Sequence, residues 1–203
     1  MVTTTKRVSE QKREAVFQAA LQEFNERGFL ATSMDRIAAR AGVSKRTVYN
    51  HFASKEALFR AITEDLIERV SQAARIDYDP AATLESQLTR IGEQEMAMLL
   101  SPDFLRLARV VLAEHLRSPE LSREVFENLQ SEELGLVVWI RRAVEDGRLK
   151  AADPRKAADQ FLALIKTFAF WPLLFCGEAP PDAREQGEII RSAVAMFLDH
   201  YAR

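Results

Sequence analysis

One cysteine, Cys176, stands alone in 203 residues, so no disulfide can form within the chain, and a reducing compartment suits it. Glycine and proline are scarce, seven of each, in a chain rich in Ala, Leu, Glu, Arg and Gln. That balance disfavours turn-rich β architectures and favours helices. The three histidines, His51, His115 and His200, are scattered without metal-ligand spacing. The chain has no glycine-rich phosphate loop, no serine-centred elbow and no HExxH. Paired acids such as Glu64-Asp65 and Glu132-Glu133 sit in helical, solvent-type contexts. An enzyme is therefore not expected, nor a metal or cofactor. No apolar run follows Lys6 and Arg7, as a secretory signal would require. The longest apolar stretch, Phe161 to Cys176, is short for a bilayer, contains Lys166 and Pro172, and reads as buried core. The expectation is a soluble, cytoplasmic protein with no membrane partner.

What is present is ordinary globular material, 47% hydrophobic and 29% charged, enough for a real core. The net charge of −2 is unevenly spread. Residues 1–55 carry 10 Lys and Arg against 5 Asp and Glu, giving +5, whereas residues 77–203 carry 15 against 21, giving −6. A basic head on an acidic body suits a phosphate-binding module attached to a remainder that does not bind phosphate.

The densest local signal is Ser33 to Phe52, SMDRIAARAGVSKRTVYNHF. A helix from about Ser9 to Arg27 precedes it, with Val16, Ala19, Ala20 and Phe24 on one face and Gly28 closing its end. Ser33 caps a second helix whose inward stripe is Ile37, Ala38 and Ala41. Gly42 takes the sharp turn, Ser44 caps a third helix, and Val48 points inward. Lys45, Arg46, Thr47, Tyr49 and Asn50 are then left on the exposed sides, and no acid occurs between Arg36 and Ser54. Lys and Arg neutralise phosphates or read guanine, Asn pairs with adenine, and hydroxyls reach phosphate oxygens. The pattern points to nucleic acid. His51 reads either as a phosphate donor or as a packed helix-end residue, and Phe52 as core.

Residues 10–60 resemble the N-terminal DNA-binding domain of TetR-type transcriptional regulators. The resemblance is carried by FNERGFLATSM, IAARAGVS and above all VSKRTVYNHFASKEALF, with Val48 where Leu is frequent. It implies a homodimeric repressor whose third helix enters the major groove of double-stranded operator DNA. Carried over position by position, it implies that Lys45, Arg46 and Asn50 read bases. Thr32, Ser33, Thr47, Tyr49, His51 and Lys55 would hold the DNA backbone.

The expected fold is all-α. A helix-turn-helix domain (1–55) is joined by a long connecting helix (56–76) to a helical body (77–203) for effector binding and dimerisation. Asp77-Tyr78-Asp79-Pro80 marks the boundary, and Ser101-Pro102, Ser118-Pro119, Asp153-Pro154 and Pro181-Asp182 punctuate the helices beyond it. The helix opened by Ser118 is expected to carry Leu121, Val125 and Leu129. FLALIKTFAFWPLLFCG resembles the C-terminal domain of the AefR-like subgroup. The resemblance suggests that the last two helices pair with their copies, through Phe161, Ile165, Ile190, Val194, Phe197 and Leu198; the same stripes could equally fill the chain's own core. A small apolar or aromatic effector is expected among Met96, Met98, Phe104, Trp139, Leu164, Phe168, Phe170 and Trp171, where Pro172 should break the helix. Lys166 reads as a snorkelling charge or a partner for an anion. Two alternatives stay open: a ligand-independent regulator or activator whose body only dimerises, and a helical enzyme or adaptor with an accidental helix-turn-helix.

Overall fold

The computed structural model describes residues 2–73, 77–117 and 135–203, with side chains from residue 7 onward. The architecture is all-α. The Ser118–Pro119 start and the stripe Leu121, Val125 and Leu129 lie outside the described residues, as does the Lys6 side chain.

The chain forms two compact units, one holding residues up to Leu66 together with the stretch from Arg106, the other holding the remainder. In the first unit α1 (Val2–Ala31) begins seven residues before the expected Ser9, since nothing between Val2 and Ser9 breaks a helix. Its helical path is interrupted at Gly28, whose φ of 78° only glycine adopts cheaply. Next come α2 (Met34–Ala41), α3 (Lys45–His51) and α4 (Lys55–Ala73). Their starts are fixed locally: Ser33 Oγ accepts from Arg36 N–H, Ser44 Oγ from Thr47 N–H, and Ser54 Oγ from Ala57 N–H. Gly42, at φ 65°, closes α2 and donates to the carbonyls of Ala38 and Ala39.

One core holds these helices. Val16, Ala20 and Phe24 of α1 meet Ile37 of α2, Val48 of α3 and Leu58 and Ile62 of α4. Phe24, Phe29 and Phe59 pack ring to ring at 5.3–6.4 Å. Leu107, Val110 and Val111 join the same core. They lie on α6 (Pro102–His115), a helix that opens in the second unit.

The second unit is built from α5 (Leu84–Leu99), α7 (Gly135–Glu145), α8 (Pro154–Ala169) and α9 (Ala183–Tyr201). Asp153 caps α8 with Pro154 at its start, and Asp182 with Glu185 forms a capping box on α9. Leu88, Ile91, Leu136, Trp139, Ile140, Phe161 and Ile165 fill its interior. Gly92 lets α5 and α9 approach closely, since a Cβ there would lie 2.9 Å from Ile190 Cγ2. The segment after α4 is pinned to the end of α7. Arg148 donates to Tyr78 Oη and to the carbonyls of Pro80 and Ala82, and the Trp139 indole N–H donates to Gln87 Oε1 at 3.0 Å.

Pro172 removes the N–H that would continue α8, and Pro172–Cys176 winds as a π-helical turn ended by Gly177. Pro154–Cys176 is a stretch of 23 residues long and apolar enough by composition to cross a membrane. One face of it, with Ala158, Phe161, Leu162 and Ile165, is buried in the unit's core. The other is not: Phe168, Trp171 and Phe175 are 61%, 40% and 65% exposed. The expected buried core is thus half right, because the aromatic residues fall on both sides of the helix.

Candidate nucleic-acid interface

The turn at Gly42 and the inward Val48 decide which side of α3 meets solvent. Lys45, Arg46, Tyr49 and Asn50 are exposed, while Thr47 and His51 are half-buried. Ser33, at the cap of α2, is exposed as well. Lys45 Nζ lies 2.7 Å from Asp35 Oδ1, and that hydrogen bond holds the ammonium above its ordinary pKa range. The Thr47 and Ser44 hydroxyls are 2.9 Å apart. α3 itself bears no carboxylate, so its exposed side presents Lys45, Arg46 and two neutral hydrogen-bonding residues, Tyr49 and Asn50.

Two expected backbone contacts are placed differently. Thr32 is 3% exposed, and its hydroxyl donates inward to the carbonyls of Gly28 (2.9 Å) and Glu23 (3.2 Å). Lys55 Nζ donates to the carbonyls of Phe29 (2.7 Å), Thr32 (3.0 Å) and Leu30 (3.4 Å). The Thr32 hydroxyl is buried, and the half-buried Lys55 ammonium is bonded to the unit's own carbonyls. The structure also shows a support that sequence reasoning missed. Glu23, 5% exposed, receives Arg40 Nε at 2.7 Å, with Arg27 at 3.4 Å and Arg36 at 3.6 Å. Burial alone would raise this carboxyl, but the Arg40 hydrogen bond and the three positive charges outweigh it and hold the pKa below the ordinary value. The network ties α2 to α1. Its signal in the sequence was an acid inside an otherwise apolar helix face.

The residues expected to line an effector pocket differ in exposure. Met96, Phe104 and Trp139 are buried, Met98 and Leu164 half-buried, and Phe168 and Trp171 exposed. Trp139 is held by Gln87 and packs against Tyr78, with ring centroids 5.7 Å apart. Phe104, Phe170, Trp171 and Phe175 instead form a chain of rings from interior to surface, with successive centroids 4.8–5.8 Å apart. A cleft of about 340 Å³ lies beside it, lined by Phe168, Pro172, Leu173 and Ile189 together with the carboxylates of Glu178, Glu185 and Glu188. Lys166 does not snorkel free; it pairs with Glu95 at 3.4 Å.

The expected pairing residues are corrected as well. Phe161, Ile165, Ile190, Val194 and Phe197 are at most 5% exposed within the single chain, and Leu198 is half-buried. The first five fill the core between α5, α8 and α9 and show little surface to a second copy, whereas Leu198 keeps part of its side chain accessible. Outward, α8, the π-turn and α9 show Phe168, Trp171, Phe175 and Met196.

A capped helix-turn-helix with a cationic, acid-free third helix, followed by a separate helical unit, defines a helix-turn-helix DNA-binding regulator. The family comparisons agree. Residues 16–62 match the model described as "Bacterial regulatory proteins, tetR family", and residues 86–203 match "AefR-like transcriptional repressor, C-terminal domain". The chain belongs to the TetR family of transcriptional regulators. It is similar to a TetR family regulator from Pseudomonas syringae pv. tomato, with 45% identity, TM-score 0.82, and 95% of this chain and 97% of that one covered. The structure of the flavonoid-responsive regulator FrrA is similar too, with 30% identity, TM-score 0.74, and coverage of 95% and 98%. RutR of Escherichia coli O157:H7 is 30% identical over 152 residues, 71% of this chain and 67% of its own.

Proposed function

We propose that the protein is a homodimeric repressor that grips a palindromic operator through two copies of α3 and releases it when a small molecule occupies the second unit. The observation that carries the reading is the exposed side of α3. Arg46 and Lys45 are suited to guanine edges and Asn50 to adenine, with Ser33, Thr47, Tyr49 and His51 for phosphates. One short helix in one groove binds weakly, so two copies reading half-sites roughly 34 Å apart are required. The exposed Phe168, Trp171, Phe175 and Met196 supply an apolar face for that pairing.

Two observations support an effector of small aromatic type. One is the cleft of about 340 Å³ beside the ring chain. The other is the likeness to FrrA, a regulator described as flavonoid-responsive. The effector would act by binding unequally to two states that differ in the spacing of the α3 copies. α4 begins in the first unit and ends in the second, so it is a covalent path for that coupling.

The test is selection of bound sites from random DNA by the full chain, with and without a panel of flavonoids. A dyad-symmetric site, lost on adding a compound, is the expected result. Absence of any enriched palindrome overturns the operator reading; a palindrome insensitive to every compound favours a ligand-independent regulator. On the selected site Arg46→Ala should cost about 1–3 kcal/mol and relax the preference at one base pair per half-site, read by competition binding.

A further inference from the structure

The first turn of α4 holds a cation that faces inward. Lys55 Nζ reaches three backbone carbonyls, those of Phe29, Leu30 and Thr32, and lies 4.4 Å from the centroid of the Phe29 ring. An ammonium has three donors and no acceptor, so the carbonyls and the ring account for the whole cation. Two of those carbonyls belong to the last residues of α1, where partial negative charge collects; Phe29 O also accepts from the Thr32 N–H at 3.3 Å. The Thr32 hydroxyl braces the same turn by donating to Gly28 and Glu23.

The two braced positions flank the motif. Thr32 directly precedes the cap of α2, and Lys55 opens α4 just beyond α3. The clamp therefore fastens the two ends of the helix-turn-helix to each other and fixes how α3 is presented.

We infer that Lys55 is a positioning residue for DNA reading and not itself a phosphate contact; the inference rests on the reading of α3 as the DNA-reading helix. Handing the ammonium to a phosphate would give up its bonds to the part-buried carbonyls of Phe29 and Thr32 and its contact with the Phe29 ring. The two roles make different demands on chemistry. A phosphate accepts any cation and favours the guanidinium fork. The convergent carbonyls need a compact, three-donor ammonium.

Wild type, Lys55→Met and Lys55→Arg, all full-length, are titrated with the site selected by the wild type and with unrelated DNA. A salt series is run well below the melting temperature, with circular dichroism confirming intact helix. Both variants should bind the selected site about tenfold more weakly. Their salt slopes should match wild type, and binding to unrelated DNA should be unchanged, a split that mere loss of stability would not produce. Wild-type affinity in Lys55→Arg, with a slope shallower by about 0.9 in Lys55→Met, overturns the inference. If the variants do not fold, ¹⁵N-lysine NMR on wild type decides. The Lys55 ammonium protons should be protected from exchange and keep their shifts on adding the site; deprotection and a shift on DNA overturn it. A wild type that selects no site brings down the α3 reading and this inference with it, whereas a fully active Lys55→Arg brings down the clamp alone.

Discussion

Two buried carboxylates carry opposite pKa shifts, and each predicts its own pH dependence. Glu23 is held below the ordinary range despite burial, because three arginines converge on it. A depressed carboxyl stabilises the fold above its unfolded pKa, and the contribution is lost as pH falls through the folded value. Glu23→Gln should therefore lower the melting temperature at neutral pH, with the gap to wild type closing as the pH drops below about 4. Thermal melts across an acid series read this directly. Glu95 runs the other way. It is 1% exposed, burial raises its pKa, and the Lys166 ammonium at 3.4 Å offsets that only in part. A raised carboxyl stabilises the fold below its unfolded pKa and loses that contribution as pH rises through the folded value. Glu95→Gln should thus match wild type near pH 4 and melt higher at neutral pH. Lys166→Met should do the reverse, costing on the order of 3 kcal/mol at neutral pH by stranding a buried charge, and less in acid, where Glu95 takes up a proton.

At the scale of the element, two glycines do different work. Gly42 has φ 65°, and a Cβ added there would meet nothing within 4 Å, so Gly42→Ala should cost only the backbone strain, about 1 kcal/mol. Gly92 has an ordinary helical backbone, but its Cβ would strike Ile190 Cγ2 at 2.9 Å, a branch on a stiff side chain. Gly92→Ala should cost about 1–3 kcal/mol through overpacking. Adding Ile190→Leu, which removes that branch, should recover part of the loss, while the same partner change leaves Gly42→Ala untouched. Urea titrations of the four variants check both statements. The contrast also shows what was legible in the sequence. Ser33, Gly42, Ser44 and Val48 announced the helix-turn-helix because caps and turns are local, settled within four residues. The Lys55 clamp joins positions 23–26 apart, and the Glu23 network positions up to 17 apart. Neither has a spacing rule. Leu107, Val110 and Val111 follow the domain boundary in sequence and so fall with the body, yet they complete the core of the first unit.

At the scale of the whole molecule, an apolar stripe says that a helix must be covered and is silent on what covers it. Phe161, Ile165, Ile190, Val194 and Phe197 satisfied the periodicity for pairing, and the chain's own α5, α8 and α9 bury them. Phe168 and Trp171 satisfied the composition of a ligand box, and they face outward. The first group is core, and in the proposed dimer the second carries the pairing; that reading predicts which substitution unfolds the protein and which dissociates it. Phe161→Ala removes a ring with 0% exposure and should cost about 3–5 kcal/mol, lowering the melting temperature. Phe168→Glu places a charge on a residue 61% exposed in the single chain, so the isolated fold should be unaffected. In the proposed dimer the same charge would be buried unpaired against Trp171, Phe175 and Met196, a cost of several kcal/mol counted in both copies. Sedimentation should then show Phe168→Glu as a monomer with wild-type helix content. Its operator affinity should collapse, because one α3 retains only one half-site, while weak binding to unrelated DNA persists. A Phe168→Glu variant that still sediments as a dimer on a full operator would place the pairing surface elsewhere on the chain.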